Sequence, residues 1–423
     1  MNFILKGNIC YSRIPTQLET IENGYLVCEE GVSKGAFPTV PEKYSRFPIT
    51  DYGDSLIIPG LCDLHVHAPQ YTFRGLGMDL ELIGWLNAHT FPEESKYADS
   101  SYAHTRYDDF VGSLQSSATT RACIFATMHV PATLLLMEKL EKSGLVTFVG
   151  KVNMDRNSPD ILCEESAVAS LTATSEWLKK STFKNTYPII TPRFIPTCSD
   201  ALMDGLGKLQ KKYNIPVQSH LSENRKEIEW VKALHPDARS YGAAYDKFGL
   251  FGGDAPTIMA HCVWTEKEEE ALVLANGVYV AHCPQSNMNL ASGIAPIRRF
   301  LNQGIRVGLG SDVAGGCHLS IFRAMSDAVQ VSKLHWRLVN QDDAPLTEKE
   351  AFYLATLGGG SFFGKVGSFD EGYEFDAVVI NDTAISDPRS KLSLEDRLAR
   401  IIYLSDDCCV SDKYVRGEKV WER

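Results

Sequence analysis

The chain has 423 residues, a formal net charge of −11, 44% hydrophobic residues and 22% charged residues. That balance belongs to a globular protein with a large core and excludes long disordered tracts. The acidic surplus, with no basic cluster, excludes a nucleic-acid footprint, which needs a basic face. A small neutral heterocycle needs no such face and stays within the allowed ligands. Eleven cysteines are scattered without a C-x-x-C pair, which predicts reduced thiols and a cytoplasmic chain. The opening MNFILKGNICYSRIP is too short and too polar for a secretory or spanning segment, and no long apolar run follows, so no membrane contact is expected.

Residues 1–58 contain alternating segments, NFILKGNICYS and NGYLVCEE, separated by turn residues. They read as short antiparallel strands. Eight apolar runs follow: LIIPGLCDLHVH, ACIFATMH, VTFVGKVN, YPIITPRF, IPVQSH, PTIMAH, VYVAHC and IRVGLGSD. Helix-like segments separate them, and that alternation predicts a parallel sheet with crossover helices. Nearly every run starts apolar and finishes on a polar side chain. Strands of a closed (β/α)8 TIM-type barrel do this, because their C-terminal ends share one mouth. PATLLLMEKLEKSG reads as a helix ending at Gly144. Thr265 with Glu268, and Thr347 with Glu350, have capping-box spacing, and Gly277 is expected to close the first of these two helices. Near the C-terminus, EFDAVVIND and KYVRGEKVWER read as further strands. The expected division is a small β-sandwich built from residues 1–58 and 367–423, with the barrel in 59–366. The aromatic-rich insert 76–118 is expected to cover the mouth, and 384–400 carries no clear pattern.

Residues 59–75 read PGLCDLHVHAPQYTFRG. On a strand, His65 and His67 face the same side. An isolated H-x-H is a weak signal. His220 ends the fifth run, His261 the sixth and Asp312 the eighth. Each alone reads as a satisfied polar residue or a helix cap. In a closed barrel the first and eighth strands are neighbours and the fifth lies across the mouth. His65, His67, His220 and Asp312 can then converge on one divalent ion. Three imidazoles and a carboxylate suit Zn2+, with Fe2+ as the rival. Arg193 ends the fourth run, where a two-metal site would need a carboxylated lysine, so one metal per subunit is expected. Lys151, at the end of the third run, reads as a packing or salt-bridge residue.

A divalent ion lowers the pKa of water to about 7, and hydrolysis then needs a proton carrier. Glu223, three residues beyond His220 in HLSE, is the expected carrier; its bland alternative is a helix N-terminal acid. His261 is expected to orient the water, and Asp312 to accept its proton as well as bind metal. No G-x-S-x-G elbow and no P-C-x-x-C deaminase signature occurs, which argues against covalent acyl chemistry and the cytidine-type site.

PGLCDLHVHAPQYTFRG, HTFPEE, TPRFIPTCS, SHLSEN, MAHCVWT, AHCPQSN and GSDVAGG occur in that order. Over roughly residues 55–365 they resemble the guanine deaminases of the amidohydrolase superfamily. H-x-H, H-x-x-E and S-D are common to many single-metal deaminases; HAPQY, HTFPEE and TPRF are narrower. The resemblance implies conversion of guanine and water to xanthine and ammonia, with His65, His67, His220 and Asp312 holding zinc. It implies that Gln70 and Arg193 hydrogen-bond the purine edge with Phe194 beside them, and that His67, His220 and Asp312 also face the substrate. It further implies a homodimer. Trp85 reads either as a stacking partner or as lid packing. Two alternatives stay open: a deaminase of another amino-heterocycle (an adenine derivative, pterin or triazine) and a non-catalytic barrel.

Overall fold

The computed structural model describes residues 1–385 and 391–423. The N-terminal strands are β1 (Asn2–Ile14), β2 (Gln17–Glu29), β3 (Val32–Phe37) and β4 (Ile49–Pro59). The eight apolar runs then supply β5 (Leu61–His67), β6 (Thr119–Phe125), β7 (Val146–Gly150), β8 (Val152–Asn153), β9 (Thr186–Pro188), β10 (Thr191–Pro192), β11 (Val217–Leu221), β12 (Thr257–His261), β13 (Tyr279–His282) and β14 (Arg306–Leu309). The third and fourth runs are each broken into two pieces. At the C-terminus lie β15 (Ala377–Ile380), β16 (Val410–Val415) and β17 (Glu418–Glu422).

Strands β5-β6-β7-β9 form one parallel sheet and β11-β12-β13-β14 another. A bridge between Ile190 and Val217 joins them on one side. On the other side, Asp312 N donates to His65 O at 2.8 Å and His67 N to Val313 O at 3.1 Å. The barrel therefore closes, and its closure brings the ends of the first and eighth runs together. Gly310 sits at this seam. A side chain there would come within 2.9 Å of both Cys283 Sγ and His65 Cβ, so only glycine lets β14 approach β5 this closely.

Strands β1–β4 and β15–β17 form one seven-stranded sheet in the order β17-β16-β15-β4-β1-β2-β3. It wraps over its own core of Leu5, Ile9, Leu26, Phe369, Phe375 and Val379, making the small β-sandwich expected from both termini. The expectation of purely antiparallel pairing needs correction, because β1 and β4 run parallel. The long β1 and β2 pair as a hairpin, and the chain returns through β3 before β4 lies along β1.

Helix Val130–Ser143 ends at Gly144 with φ of 77°, as a left-handed cap requires. Thr347 and Glu350 form both halves of a capping box. Thr265 and Glu268 do not. The helix is Lys267–Ala275, and its cap position falls one residue later, on Glu266, which makes no side-chain cap. The third helical position is then Glu269, whose carboxylate is taken by Ser222 Oγ and Gly242 N, both at 2.7 Å. Within 384–400, Ser393 caps the helix Leu394–Leu404, which buries Leu394, Leu398, Ile401 and Ile402 at helical spacing; residues 386–390 lie outside the described part.

One buried ion pair ties barrel to sandwich. Arg121 of β6 donates through Nε to Asp376 Oδ2 at 2.5 Å and through Nη2 to Asp376 Oδ1 at 2.9 Å; both side chains are 1% exposed. Arg121→Met leaves the buried Asp376 charge with only the Arg416 N–H at 2.9 Å, at an expected cost of about 3–5 kcal/mol. A urea titration reads this as a lower midpoint with an unchanged slope. A change below about 1 kcal/mol would show that the pair contributes no more than a surface contact.

Candidate metal centre

The five polar ends that the sequence singles out meet at the mouth of the barrel. His65 Nε2 and His67 Nε2 stand 3.2 Å apart, and His67 Nε2 and His220 Nε2 3.3 Å apart. Asp312 Oδ1 lies 3.2 Å from His65 Nε2 and 3.5 Å from His67 Nε2. Ligands held tetrahedrally about 2.0–2.1 Å from zinc stand about 3.3 Å from one another. His65, His67 and Asp312 are therefore already near coordination spacing, with His220 beside them through His67, and two nitrogens with one carboxylate oxygen suit a divalent ion. His261 joins His65 and His220 in a second grouping whose donor atoms all lie within 4.8 Å.

Local structure aims these groups. The β5 register slips between Asp63 and Val66 against β6, a bulge of the kind that re-aims side chains next to active sites. His220 Nδ1 donates to Arg193 O at 2.6 Å, and His261 Nδ1 to Asn287 Oδ1 at 2.9 Å. In both rings this leaves Nε2 as the free nitrogen at the mouth. Ser222, His261, Cys262 and Asp312 all have positive φ, between 45° and 74°. Non-glycine residues adopt that region at a cost, and such residues cluster at active sites.

Electrostatics follows burial. Desolvation pushes His65, His67 and His220 below the ordinary imidazole value, with neighbouring rings adding to it at His67 and His220. The rings are thus neutral, the form that binds metal. Burial pushes the Asp312 carboxyl up, but His65, His261 and His67 outweigh it and hold it well below the carboxylate range. Asp312 is thus the anionic member of the cluster. Glu223 behaves oppositely: burial raises it, and Asp312 adds to the rise. Burial would depress His261, but Glu223 and then Asp312 raise it above its ordinary value.

Glu223 does not cap the helix that follows. Asn224 is the cap, and Glu227 completes the box, accepting from Glu223 N at 3.1 Å, Asn224 N at 3.2 Å and Tyr241 Oη at 2.7 Å. Glu223 is left free to enter the site. Its Oε1 accepts from Ser292 Oγ at 3.0 Å, and its Oε2 lies 3.4 Å from His261 Nε2.

Gln70, Arg193 and Phe194 line the same narrow cavity as His67, His220, Glu223, His261 and Asp312. The insert forms its outer wall through Leu82, Trp85 and Leu86. A π-turn at Leu86–Thr90 interrupts the helical segment there, as is frequent at functional sites. Trp85 lines the cavity while its Nε1 donates to Leu76 O at 3.0 Å and its ring rests 5.5 Å from Phe73. Lys151 lies apart from the cluster, fully buried, with Nζ 2.6 Å from Glu164 Oε1.

A family model, the amidohydrolase family, matches residues 56–420. The chain belongs to the amidohydrolase family. A solved structure of a C. acetobutylicum guanine deaminase with guanine in its active site is 47% identical, with a TM-score of 0.96 and full coverage of both chains. A Dictyostelium discoideum guanine deaminase is 41% identical over 88% of this chain and 84% of its own length. The Escherichia coli guanine deaminase is 34% identical over 97% of this chain and 94% of its own. Among the described residues of this amidohydrolase, no helix is long and apolar enough to cross a membrane.

Four groups carry no signature that sequence reasoning singles out as functional. Ser292 holds Glu223 from a loop and Asn287, at the end of AHCPQSN, holds His261 from the helix Pro284–Asn289, roles that the motif does not announce. Asp63 accepts from Ser311 Oγ at 2.5 Å, Ser311 N at 3.0 Å and His65 N at 3.1 Å, pinning the first strand end to the eighth. Burial pushes its carboxyl up to about 7. A signal for it does exist: a charged residue inside an apolar strand, two positions before His65. The fourth group is Glu94 of HTFPEE.

Proposed function

We propose that this chain hydrolyses guanine to xanthine and ammonia. The observation that carries the reading is the His65, His67 and Asp312 triad near coordination spacing, with His220 beside His67, opening onto a cavity that also holds Gln70 and Arg193. The likeness to guanine deaminases across nearly the whole chain supports it. In this reading His65, His67, His220 and Asp312 hold one zinc ion, with Fe2+ as its competitor. When bound, such an ion lowers the pKa of water from about 16 to about 7 and so supplies a nucleophile at neutral pH.

The chain's own groups do the rest. Gln70 and Arg193 hold the oxygen-bearing edge of the purine, with Phe194 beside the ring; His67, His220 and Asp312 bound the face where the amino group is exchanged. Glu223 Oε2, the oxygen not held by Ser292, takes a proton from the incoming water and passes it to the ring nitrogen next to the reacting carbon. Its raised pKa suits it to do both near neutrality. Asp312 accepts the second water proton and returns it to the departing amine. A carbon–oxygen bond replaces a carbon–nitrogen bond, and ammonia leaves. His261 Nε2, between the two carboxylates at 3.4 Å and 3.7 Å, holds the water's orientation. The same reading divides the chain into 1–58 with 367–423 and 59–366, and expects a cytoplasmic homodimer.

The test is ammonia release by the zinc-loaded protein from guanine, adenine, a pterin and an aminotriazine. Guanine is expected to lead by at least about a hundredfold in kcat/KM. A different leader replaces the substrate assignment, and release from none returns the non-catalytic barrel.

A further inference from the structure

The motif HTFPEE places two acids side by side, and the structure separates them. Glu93 turns away from the cavity, to Thr72 Oγ1 at 2.8 Å, Lys96 Nζ at 2.7 Å and the Tyr102 hydroxyl. Glu94 is 3% exposed and turns inward. Its Oε1 accepts from Gln70 Nε2 at 2.8 Å, and its Oε2 from Arg193 Nη1 at 2.6 Å. One carboxylate therefore grips both groups assigned above to the purine edge.

We propose that Glu94 is the positioning residue that sets specificity for the 6-oxo edge of the purine. The proposal rests on the guanine reading given above. An amide has two orientations of nearly equal shape, and an unanchored Gln70 could present either donor or acceptor. Here Nε2 is fixed toward Glu94, and Oε1 accepts from Ala314 N at 3.1 Å. The amide cannot turn without facing its N–H groups at the Ala314 N–H and its oxygen at a carboxylate. What remains for a ligand is one N–H and one lone pair, in defined directions. Arg193 is fixed twice by the same short helix: Glu94 binds Nη1, and the guanidinium lies 5.2 Å from the Phe91 ring centroid. Arg193 lines the cavity, and Glu94 takes only its Nη1, which leaves other N–H groups for a ligand. Glu94 also balances a buried guanidinium that would otherwise add positive charge beside the metal centre. The insert thus delivers, through one carboxylate, the orientation of two recognition groups that follow different barrel strands, Gln70 after β5 and Arg193 after β10. A site whose polar groups are preset in this way rejects an analogue lacking the matching atom, because those groups are left unpaired.

The variant Glu94→Gln keeps the shape but offers a single acceptor oxygen, so it can hold only one of its two partners. Wild type and variant, both zinc-loaded, are compared on guanine and on 2-aminopurine, which lacks the 6-oxygen. The expected result is a KM for guanine raised by at least about tenfold, with kcat within about threefold, since the edge contacts are equal in ground and transition states. The preference for guanine over 2-aminopurine should fall by at least about tenfold. A purely structural role would lower the active fraction for both substrates and leave that ratio unchanged. An unchanged ratio, or a loss confined to kcat, overturns the proposal. If E94Q is insoluble or binds no zinc, Glu94→Asp, which keeps the charge but retreats by one methylene, decides by the same ratio. Failure of both variants to fold overturns it, since Glu94 would then be a folding residue. Absence of guanine turnover by the wild type instead sinks the functional reading itself.

Discussion

Glu223→Gln is expected to lower kcat by about a thousandfold or more while the bound metal stays at the parent level. The substitution is nearly isosteric. The glutamine oxygen can still accept from Ser292 Oγ, which holds Oε1 at 3.0 Å, so the side chain should stay in place. What it loses is the ability to take a proton. The wild-type carboxyl is tuned to carry one, because burial raises it, Asp312 raises it further, and His261 and Ser292 only partly offset this. Neither neighbouring acid stands in for it: Asp312 is already engaged with the second proton in this reading, and Glu227 is committed to the helix start and Tyr241. Glu223 also stands outside every metal-capable grouping of the described residues, so metal analysis should give the same stoichiometry for both proteins. Steady-state ammonia release and metal content, measured on one preparation, form the test. Undiminished turnover would remove Glu223 from the mechanism.

The same residue shows what a sequence can and cannot convey. HLSE marks an acid near the end of a barrel strand, but spacing alone leaves it either in the site or at a helix start. Only the structure shows Glu227 taking the cap, which releases Glu223. The strand-end donors were legible because barrel closure is a topological rule: eight apolar runs ending in polar residues must bring those ends to one mouth. The Thr347 box was legible because capping is local, whereas Thr265 failed because tertiary partners claimed Glu269 and the helix began one residue later. Glu94 was invisible as a functional group because its partners lie 24 and 99 positions away. No window of local periodicity spans that. The parallel pairing of β1 with β4 was lost for the same reason: alternation reports a strand, not the direction of its neighbour.

Removing the metal is expected to abolish turnover and to lower the thermal unfolding midpoint, with both restored by added zinc. An ion that binds the folded chain alone stabilises it by about 4 kcal/mol when its free concentration is a thousand times its dissociation constant. The donors sit on strands from opposite halves of the barrel, β5 and β11, and on the loop after β14, so the ion ties β11 to the seam where β5 meets that loop. Asp312→Asn tests this from the protein side. Asp312 is the one anion in the donor set, and its Oδ1 faces both His65 and His67. An amide there removes the charge that balances the cation and turns an N–H toward two ring nitrogens or the ion itself. Zinc affinity should fall by at least about a hundredfold, at or beyond the upper end for losing a mere outer-shell partner, and activity should vanish with it. The contrast with Glu223→Gln is the informative part: one variant keeps the ion and the thermal midpoint while losing catalysis, whereas the other loses all three. Asp312→Asn protein that holds a full equivalent of zinc and unfolds at the parent temperature would take Asp312 out of the coordination sphere, and with it the four-donor geometry from which the chemistry is argued.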